Sequence, residues 1–502
     1  MRPAAAERTA LPSPPVPHPP APGASIPAGG RLPIIIPVIV AVAFLMEQLD
    51  ATIITTAVPD IAHSLQVTPV QMSLAVAAYV LSVAIFIPVS GWFADRFGAR
   101  RVFIAALAIF TIGSVLCGLS QSFAMLVAMR VVQGLGGAMM TPVGRLILLR
   151  SFPRSELMTA MTYMTLPAIM GPVIGPLLGG VITTYFSWRW IFYVNIPFGL
   201  LGILLAMRYV ANTREHEVAG FDFAGFLMVG GGLGLLQSAL EAVSHPVVPP
   251  FVIALAATAA IALLLGFYFY ARRAVAPAVD LTLFRSRSFR VGTLAGGVCR
   301  IGMNGMPYLL PLMLQVGFGL SPIASGSITF ITSVGAVIIR NLLAPVIRNY
   351  GFRFVLITSA VAGSVGLAGF ALIEPHTPHY LILLWVFIFG LTRSAQFMSS
   401  NTLSYADTPD RQLSRATSLG GVLQQLSVSL GVSVSAVLLA LVSAHSETLT
   451  PARFHEVFLL SAVIPLLAIP GFLTLAHDDG ARAIGRKKTF SEVDEHDREA
   501  TA

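Results

Sequence analysis

Long apolar runs recur along nearly the whole chain and are separated by short polar stretches. The run LAVAAYVLSVAIFIPVSGWF, for example, is followed by the charged stretch ADRFGARR and then by VFIAALAIFTIGSVL. An apolar run of 18 or more residues is long enough to cross about 30 Å of hydrocarbon as an α-helix. The pattern therefore predicts an all-α integral membrane protein with fourteen spanning segments. They lie near residues 34–58, 70–93, 102–120, 123–148, 157–184, 188–208, 220–242, 250–271, 291–316, 323–347, 353–373, 379–403, 416–443 and 455–476.

The amino-acid composition argues against a soluble protein of this size. Of the 502 residues, 55% are hydrophobic and 11% are charged, whereas soluble domains carry about 25% charged residues. The mean hydropathy is +0.80. The two cysteines, Cys117 and Cys299, lie within apolar runs, so we expect them to be packing residues rather than a disulfide.

Basic residues fall almost entirely on one side of the predicted membrane. If the N-terminus is placed in the cytoplasm, 24 of the 31 basic residues are cytoplasmic, two (Arg189 and Arg453) lie on the outer side, and five lie within segments. Cytoplasmic loops of membrane proteins carry such an excess. The distribution predicts that both termini are cytoplasmic. It also accounts for the net charge of +8 without a nucleic-acid partner.

Two stretches of the chain echo each other faintly. VIRNYGFRFVL lies between segments ten and eleven as DRFGARRVFI lies between segments two and three, with Gly351 and Arg353 aligned with Gly98 and Arg100. Transporters built from repeated halves show such symmetry. It predicts two six-segment halves with segments seven and eight inserted between them. The predicted divisions are a disordered cytoplasmic tail at 1–33, an N-terminal bundle at 34–210, a linker with the inserted pair at 211–290, a C-terminal bundle at 291–477 and a cytoplasmic tail at 478–502.

A charged cluster with two glycines follows segment two. An acid at this place can cap a neighbouring helix and pair with a nearby arginine, and glycine permits tight turns and the close approach of a neighbouring helix. One interpretation is a conformational latch that holds two helical bundles together on one side of the membrane. The other is a positively charged loop with an incidental acid, and both stay open. The residues of this latch cluster are Gly91, Asp95, Arg96, Gly98, Arg100 and Arg101.

Charged residues within the spans are candidates for function, because a charge in hydrocarbon is costly and needs a cavity or a partner. Asp50 lies deep in segment one, where a carboxyl takes up a proton more readily than in water. Glu47 lies three residues earlier on nearly the same face, so the two acids could share one proton. Arg130, about 10 Å deep in segment four, could hold either acid ionised. The alternative is a permanent ion pair with a structural role.

Other residues within the spans give weaker signals. Arg300 and Arg393, with Gln133, are candidates to line a substrate cavity, and the arginines would favour anionic or zwitterionic substrates. We expect Arg340 to extend towards the cytoplasm, and Glu241 to lie at the membrane interface. The ten histidines show no metal-ligand spacing, and no phosphate-binding loop or hydrolase motif is present. We therefore expect no metal, no cofactor and no enzymatic activity.

Segment five carries glycines at intervals of four residues. Gly171, Gly175 and Gly179 fall on one face of a helix and permit close helix packing. Pro172 and Pro176 are expected to bend the helix. A tight, bent helix could hinder leakage through a carrier.

Several of these stretches resemble signatures of one transporter family. GWFADRFGARR resembles the loop signature G-x-L-A-D-R-x-G-R-K of the major facilitator superfamily, although Phe93 replaces a leucine and Ala99 a basic residue. LVAMRVVQGLGGA (126–138) and PAIMGPVIGPLLGG (167–180) resemble its fourth-helix and antiporter signatures. LDATIITTAVPDIA (49–62), with Thr55 for an asparagine, and WRWIFYVNIPFG (188–199) resemble its fourteen-helix drug:proton antiporter branch. RIGMNGMPYLLPLMLQVGFGLSP (300–322) and MSSNTLSYADTPD (398–410) resemble the MdtD-type multidrug transporters in that branch.

The resemblance implies a major facilitator fold with two six-helix bundles and two inserted helices, fourteen transmembrane helices in all. It implies proton-coupled export of small organic molecules by alternating access, with the latch cluster stabilising one state. We expect a monomer in a bacterial cytoplasmic (inner) membrane. Alternatives are an exporter of organic anions or metabolites, a proton-coupled uptake symporter, and a membrane receptor or enzyme that transports nothing.

Overall fold

The computed structural model describes residues 35–152, 154–212, 220–243, 248–274, 277, 279–409, 412–443, 449–476 and 479–480. These residues form helices joined by short loops, and none of them lies in a strand. The predicted tail at 1–33 lies outside the described residues, as does the tail at 478–502 apart from Asp479 and Gly480.

Each apolar segment of the sequence falls on a helix, and we number these helices α1 to α14. The N-terminal six are α1 (Ile35–Ser64), α2 (Ser73–Phe97), α3 (Ala99–Gly118), α4 (Phe123–Ser151), α5 (Arg154–Tyr185) and α6 (Trp190–Tyr209, with a break at Val194). The inserted pair is α7 (Phe223–Ala242) and α8 (Pro250–Ala271). The C-terminal six are α9 (287–317), α10 (322–350), α11 (352–369), α12 (His379–Ala406), α13 (Leu413–Ser443) and α14 (Pro451–Leu473).

Within the described residues, twelve helices are long and apolar enough to cross a membrane. The remaining two of the fourteen are α5 and α9. Helix α5 has 32 residues, and its apolar part, Met170–Tyr185, is shorter than the others. Helix α9 is interrupted by π-helical turns at Val291–Ala295 and Met313–Gly317. The all-helical, membrane-spanning fold predicted from the sequence is confirmed.

The echo between the two halves is confirmed in the backbone geometry. Gly98 ends α2 with φ 94°, and Gly351 separates α10 from α11 with φ 80°. A residue with a side chain is strained at such φ values, so both turns require glycine. Arg100 Nη1 donates to the carbonyl of Val210 just after α6 (3.4 Å), and Arg353 Nη1 donates to that of Leu475 just after α14 (3.5 Å).

The two predicted halves meet along two seams, where α2 packs against α13 and α5 packs against α10. Helix α7 lies against both α2 and α13, and α8 packs on the outside of α7. Only 11% of the most apolar window of α8 is buried, which fits a helix that faces lipid. The inserted pair therefore lines one of the two seams.

Most of the hydrogen bonds that the described residues form between the halves lie towards the predicted outer side, whereas the bond from Ser333 Oγ of α10 to the Pro172 carbonyl of α5 lies near the middle of both helices. The α1–α2 loop receives one from α9, α1 receives another from α9, α2 receives one from α13, and α5 receives one from the start of α10. We infer from them that the described arrangement is closed on this side. The four bonds run from Tyr308 Oη to Pro69 O (2.6 Å), Gln315 Nε2 to Thr56 O (2.9 Å), Ser429 Oγ to Ala77 O (3.3 Å) and Ile323 N to Thr184 Oγ1 (3.2 Å).

Candidate functional site

The centre of the candidate site is an ion pair between Asp50 of α1 and Arg130 of α4. The Nη1 atom of Arg130 lies 2.6 Å from Oδ2 of Asp50, and the two side chains are 0% and 1% exposed. Of the alternative partners for Arg130 that the sequence left open, the structure selects Asp50. A buried carboxylate and a buried guanidinium compensate each other's charge in a medium of low polarity.

Two amide side chains complete the surroundings of the Asp50 carboxylate. Gln133 Nε2 donates to Oδ1 at 2.7 Å, and Asn195 Nδ2 donates to the same oxygen at 3.3 Å. Gln133 in turn accepts a hydrogen bond from Arg130 Nη1 at 2.9 Å. Three donors from α4 and α6 therefore surround one carboxyl of α1.

Arg130 is held by contacts beyond the ion pair. Its Nε donates to the carbonyl of Ala75 at 3.3 Å, and its guanidinium lies over the ring of Tyr79 at 4.2 Å. Within the described residues, Arg130 Nη2 and Tyr79 Oη are buried without a hydrogen-bond partner. The site thus fixes Arg130 in place while leaving hydrogen-bonding capacity beside the ion pair.

The glycines of the fourth-helix motif explain how these side chains come together. Arg130 and Gln133 are three residues apart and so share a face of α4. A side chain at Gly134 would collide with the Tyr79 carbonyl of α2, and one at Gly136 would collide with the backbone of Phe110 in α3. The glycines let α2 and α3 pack closely around the face that carries the polar side chains.

Glu47 has surroundings of its own. Its side chain is buried, and Thr141 Oγ1 of α4 donates a hydrogen bond to its Oε2. Arg145, one turn further along α4, lies over the ring of Phe44 at 5.7 Å. The structure thus gives the carboxyls of Glu47 and Asp50 different hydrogen-bond donors and joins them by no hydrogen bond of their own.

The latch cluster connects helices of the N-terminal bundle. Asp95 Oδ1 lies 2.9 Å from Nη2 of Arg150 at the end of α4, and Arg100 donates to the carbonyl of Val210 just after α6. Arg96 and Arg101 are exposed. These contacts of Asp95 and Arg100 lie within one bundle and do not themselves join two bundles.

The two glycines of the latch cluster differ in what they permit. A side chain at Gly98 would collide with that of Asn212, whereas the space beside Gly91 is open. The expectation that glycine permits close approach is therefore wrong for Gly91, which is exposed. At Gly98 both the positive φ and the close contact demand glycine.

The glycines of α5 pack against α1. A side chain at Gly171 would collide with Gln48, one at Gly175 with Thr52, and one at Gly179 with the carbonyl of Ile53. These three glycines therefore determine how closely the two helices approach.

The prolines of α5 contribute to its contact with α10, on the opposite face from the contact with α1. Because Pro176 has no N–H, the carbonyl of Pro172 lacks its usual donor within the helix. Ser333 Oγ of α10 donates to that carbonyl at 2.7 Å. A side chain added at Gly326 of α10 would collide with the Pro176 carbonyl. The prolines thus provide a contact between the halves, and α5 remains one helix.

The three candidate cavity residues fall in two places. Gln133 is fully buried in the Asp50 site, so its placement on a cavity wall is wrong. Arg300 and Arg393 lie between α9 and α12, where Arg300 sits 5.9 Å from the ring centre of Phe397 and Arg393 Nη2 donates to Asn304 Oδ1 at 3.0 Å. Within the part of the chain that is described, no carboxylate forms an ion pair with either arginine.

Comparison with known proteins identifies the family. The family model described as Major Facilitator Superfamily matches residues 40–298 and 292–495. The chain belongs to the Major Facilitator Superfamily. It is a multi-pass membrane transporter, and neither its relatives nor its structural neighbours are enzymes.

Curated relatives in this superfamily share the name "Putative multidrug resistance protein MdtD". The protein of Salmonella paratyphi A (strain ATCC 9150 / SARB42) is 38% identical over 441 residues, which cover 87% of this chain and 93% of the relative. The protein of Pectobacterium carotovorum subsp. carotovorum (strain PC1) is 37% identical over 437 residues, with 87% and 94% covered.

Solved structures of the superfamily have the same fold at low sequence identity. A bacterial homologue of the human lysosomal transporter Spinster, in an inward-facing and unoccupied conformation, has a TM-score of 0.63 at 16% identity, covering 92% of this chain and 100% of that one. A D-xylose–proton symporter has a TM-score of 0.63 at 14% identity, covering 89% and 98%. These likenesses establish the fold.

The sequence-based predictions missed or misplaced some buried polar residues of this protein. Asn195 lies within the recognised stretch WRWIFYVNIPFG and was not singled out, although a buried asparagine in a span needs partners. Thr141 gave no signal, because threonine is common in spanning helices. Glu241 was expected at the interface, and this is wrong, since its side chain is 2% exposed and hydrogen-bonded on both oxygens.

Proposed function

We propose that the protein exports small organic molecules in exchange for protons by alternating access. The observation that carries the proposal is the buried Asp50–Arg130 pair with its two amide donors. A carboxylate in this setting can be neutralised by one proton, and neutralisation releases Arg130 from its partner. The pair thus supplies a site at which a proton can change the interactions between α1, α4 and α6.

The seams between the halves supply the movement that the proposal requires. The described arrangement is closed on the predicted outer side through hydrogen bonds to backbone carbonyls and through the close glycine contacts between α5 and α10. Export requires a second arrangement in which these contacts separate. Each proton that enters down an inside-negative potential of 100 mV supplies about 2.3 kcal/mol for such a cycle.

The latch cluster and the halves have defined parts in this cycle. Asp95 and the arginines beside it are proposed to stabilise one state at the predicted cytoplasmic side. The arginines are also attracted to the anionic lipids of the cytoplasmic leaflet. The N-terminal bundle at 34–210 and the C-terminal bundle at 291–477 are proposed as the moving bodies. We place the protein as a monomer in a bacterial inner membrane with both termini in the cytoplasm, as the distribution of basic residues favours.

A second candidate function, export of organic anions or metabolites, is favoured by Arg300 and Arg393. Both are largely removed from solvent, and a buried cation without a carboxylate partner is costly. An anionic substrate would supply the missing charge between α9 and α12, with Phe397 and Asn304 beside it. The MdtD relatives carry a multidrug name that does not state a charge class.

The test uses purified protein in liposomes with an acidic interior that contains a pH-sensitive dye. A panel of lipophilic quaternary ammonium cations is added outside, and then a panel of organic carboxylates. An antiporter releases protons as an added compound enters, so one panel should raise the internal pH in wild-type liposomes and not in protein-free ones. Uptake symport would instead carry protons inwards and lower the internal pH. An internal pH that stays unchanged with every compound would contradict proton exchange for both the cations and the carboxylates.

The two substrate classes are separated by a pair of variants. If the carboxylates are transported, Arg300→Gln with Arg393→Gln should weaken their transport. If the cations are transported, the same double variant should leave their transport intact or improve it. Arg340→Gln, which changes an exposed arginine of α10, serves as the matched control.

A further inference from the structure

Helix α7 of the inserted pair carries a buried carboxyl at the seam between the two halves. Ser73 Oγ of α2 donates to Glu241 Oε2 at 2.8 Å, and Ser433 Oγ of α13 donates to Oε1. Gln237, one turn earlier on α7, donates to Ser433 and, at 3.4 Å, to Oε1. One side chain of the inserted pair therefore joins the N-terminal and C-terminal halves directly.

The position of Glu241 connects it with closure of the predicted outer side. Ser73 begins α2 there, and the neighbouring α1–α2 loop accepts the hydrogen bond of Tyr308 from α9. Opening that side separates α2 from α13, so the two serine bonds to Glu241 cannot both persist. Water then reaches a carboxyl that is 2% exposed in the closed arrangement.

The groups that face Glu241 are neutral. They are the hydroxyls of Ser73 and Ser433 and the amide of Gln237, and Tyr308 of α9 is the titratable group near it. In the described part of the chain, no arginine, lysine or histidine forms an ion pair with this carboxyl. An uncompensated carboxylate that is buried away from water is costly, and the uptake of one proton removes that cost. When protonated, one oxygen can accept from Ser433 while the other donates to Ser73.

We propose that Glu241 is a second proton-binding site, which binds its proton as the predicted outer side closes and releases it as that side opens. The proposal rests on the alternating access of the proposed function. It gives the inserted pair a part in the cycle, because α7 then senses the pH at the seam between α2 and α13. Since the closed state holds the proton more tightly, rising pH favours the open state, by up to about tenfold per pH unit for one proton.

The experiment measures the opening of the predicted outer side as a function of pH. Spin labels are placed on cysteines introduced at Ser64 and Glu374, which are exposed on opposite halves. The native Cys117 and Cys299 are fully buried, and the unsubstituted protein checks that they take no label. Distances between the labels are recorded in nanodiscs from pH 6 to pH 9, without substrate or gradient.

The expected result is a shift to longer distances in the wild type as the pH rises, which Glu241→Gln reduces or abolishes. Glutamine cannot ionise but keeps hydrogen-bonding groups at the seam. Ser433→Ala should retain the pH response with a smaller closed population, because the carboxyl remains. Glu456→Gln, which changes an exposed carboxylate of α14, should behave as the wild type.

Two results would overturn the inference. A wild-type response that persists unchanged in Glu241→Gln would assign the proton to another group. A wild-type protein whose label distances do not change with pH would also exclude Glu241 as a proton site coupled to opening. Distances that change with neither pH nor an added transported compound would instead contradict the alternating access on which the proposed function rests.

Discussion

Arg130 Nη1 lies 2.6 Å from Asp50 Oδ2 although 80 positions separate the residues in the chain, and neither side chain is accessible to solvent. This pair joins α1 to α4 at a point where Gln133 and Asn195 also donate to the carboxylate. Removing one partner of such a pair leaves an uncompensated charge, which costs about 3–5 kcal/mol. The pair is therefore important for both stability and the proposed coupling.

Arg130→Ala should lower stability strongly, because it leaves the carboxylate of Asp50 buried without its counter-charge. Adding Asp50→Asn should recover part of the loss, since the double variant buries no unpaired charge. Thermal unfolding in detergent, followed by tryptophan fluorescence, measures both. A double variant less stable than Arg130→Ala alone would contradict the ion pair as the cause.

Asn195→Ala should lower both stability and proton-driven transport. Asn195 donates to Asp50 Oδ1 at 3.3 Å, and a hydrogen bond to a charged group contributes about 1.5 kcal/mol at the weaker end. Thermal unfolding in detergent and the rate of proton-driven transport measure the two effects. Wild-type values for both would remove Asn195 from the site.

Gly179→Ala should impair both folding and transport. The added methyl group would collide with the Ile53 carbonyl of α1, and such overpacking costs about 1–3 kcal/mol. Gly234→Ala in α7, where the space is open, is the matched control and should be neutral or slightly stabilising. Equal stability of the two variants would show that the contact between α1 and α5 tolerates a wider spacing.

The pair of Asp95 and Arg150 should matter for transport more than for stability. The Asp95 side chain is 37% exposed, and surface pairs contribute about 0.2–1 kcal/mol. Asp95→Arg and Arg150→Asp should each reduce transport, and the double variant should restore part of it by re-forming the pair with reversed charges. Transport rates at matched expression measure this. A double variant no better than the single ones would mean that position 95 acts through other contacts.

The sequence was sufficient to predict the features that depend on local pattern. The lengths of the apolar runs predicted the spanning helices, and the faint echo identified Gly98 and Gly351, which both have positive φ. Arg130 was a candidate because a charge within a span needs a partner. The identity of that partner was left open between two acids, because both lie on nearly the same face of α1.

Features that depend on packing between distant helices could not be predicted. Glu241 lies near the end of an apolar run, where an acid usually faces the interface, and its burial depends on how α7 lies between α2 and α13. Gln133 suited a cavity wall equally well, and only the packing of α1 against α4 places it on Asp50. The π-helical turns of α9 follow no pattern of apolar positions.

The central claim, that Asp50 carries the coupling proton, is tested most directly by separating exchange from accumulation. Proteoliposomes with Asp50→Asn are compared with wild type for exchange of a labelled transported compound and for its proton-driven accumulation. Asp280→Asn, which changes a carboxyl outside the spanning helices, is the control and should behave as wild type. We predict that Asp50→Asn keeps exchange and loses accumulation, whereas accumulation at the wild-type level would contradict the claim.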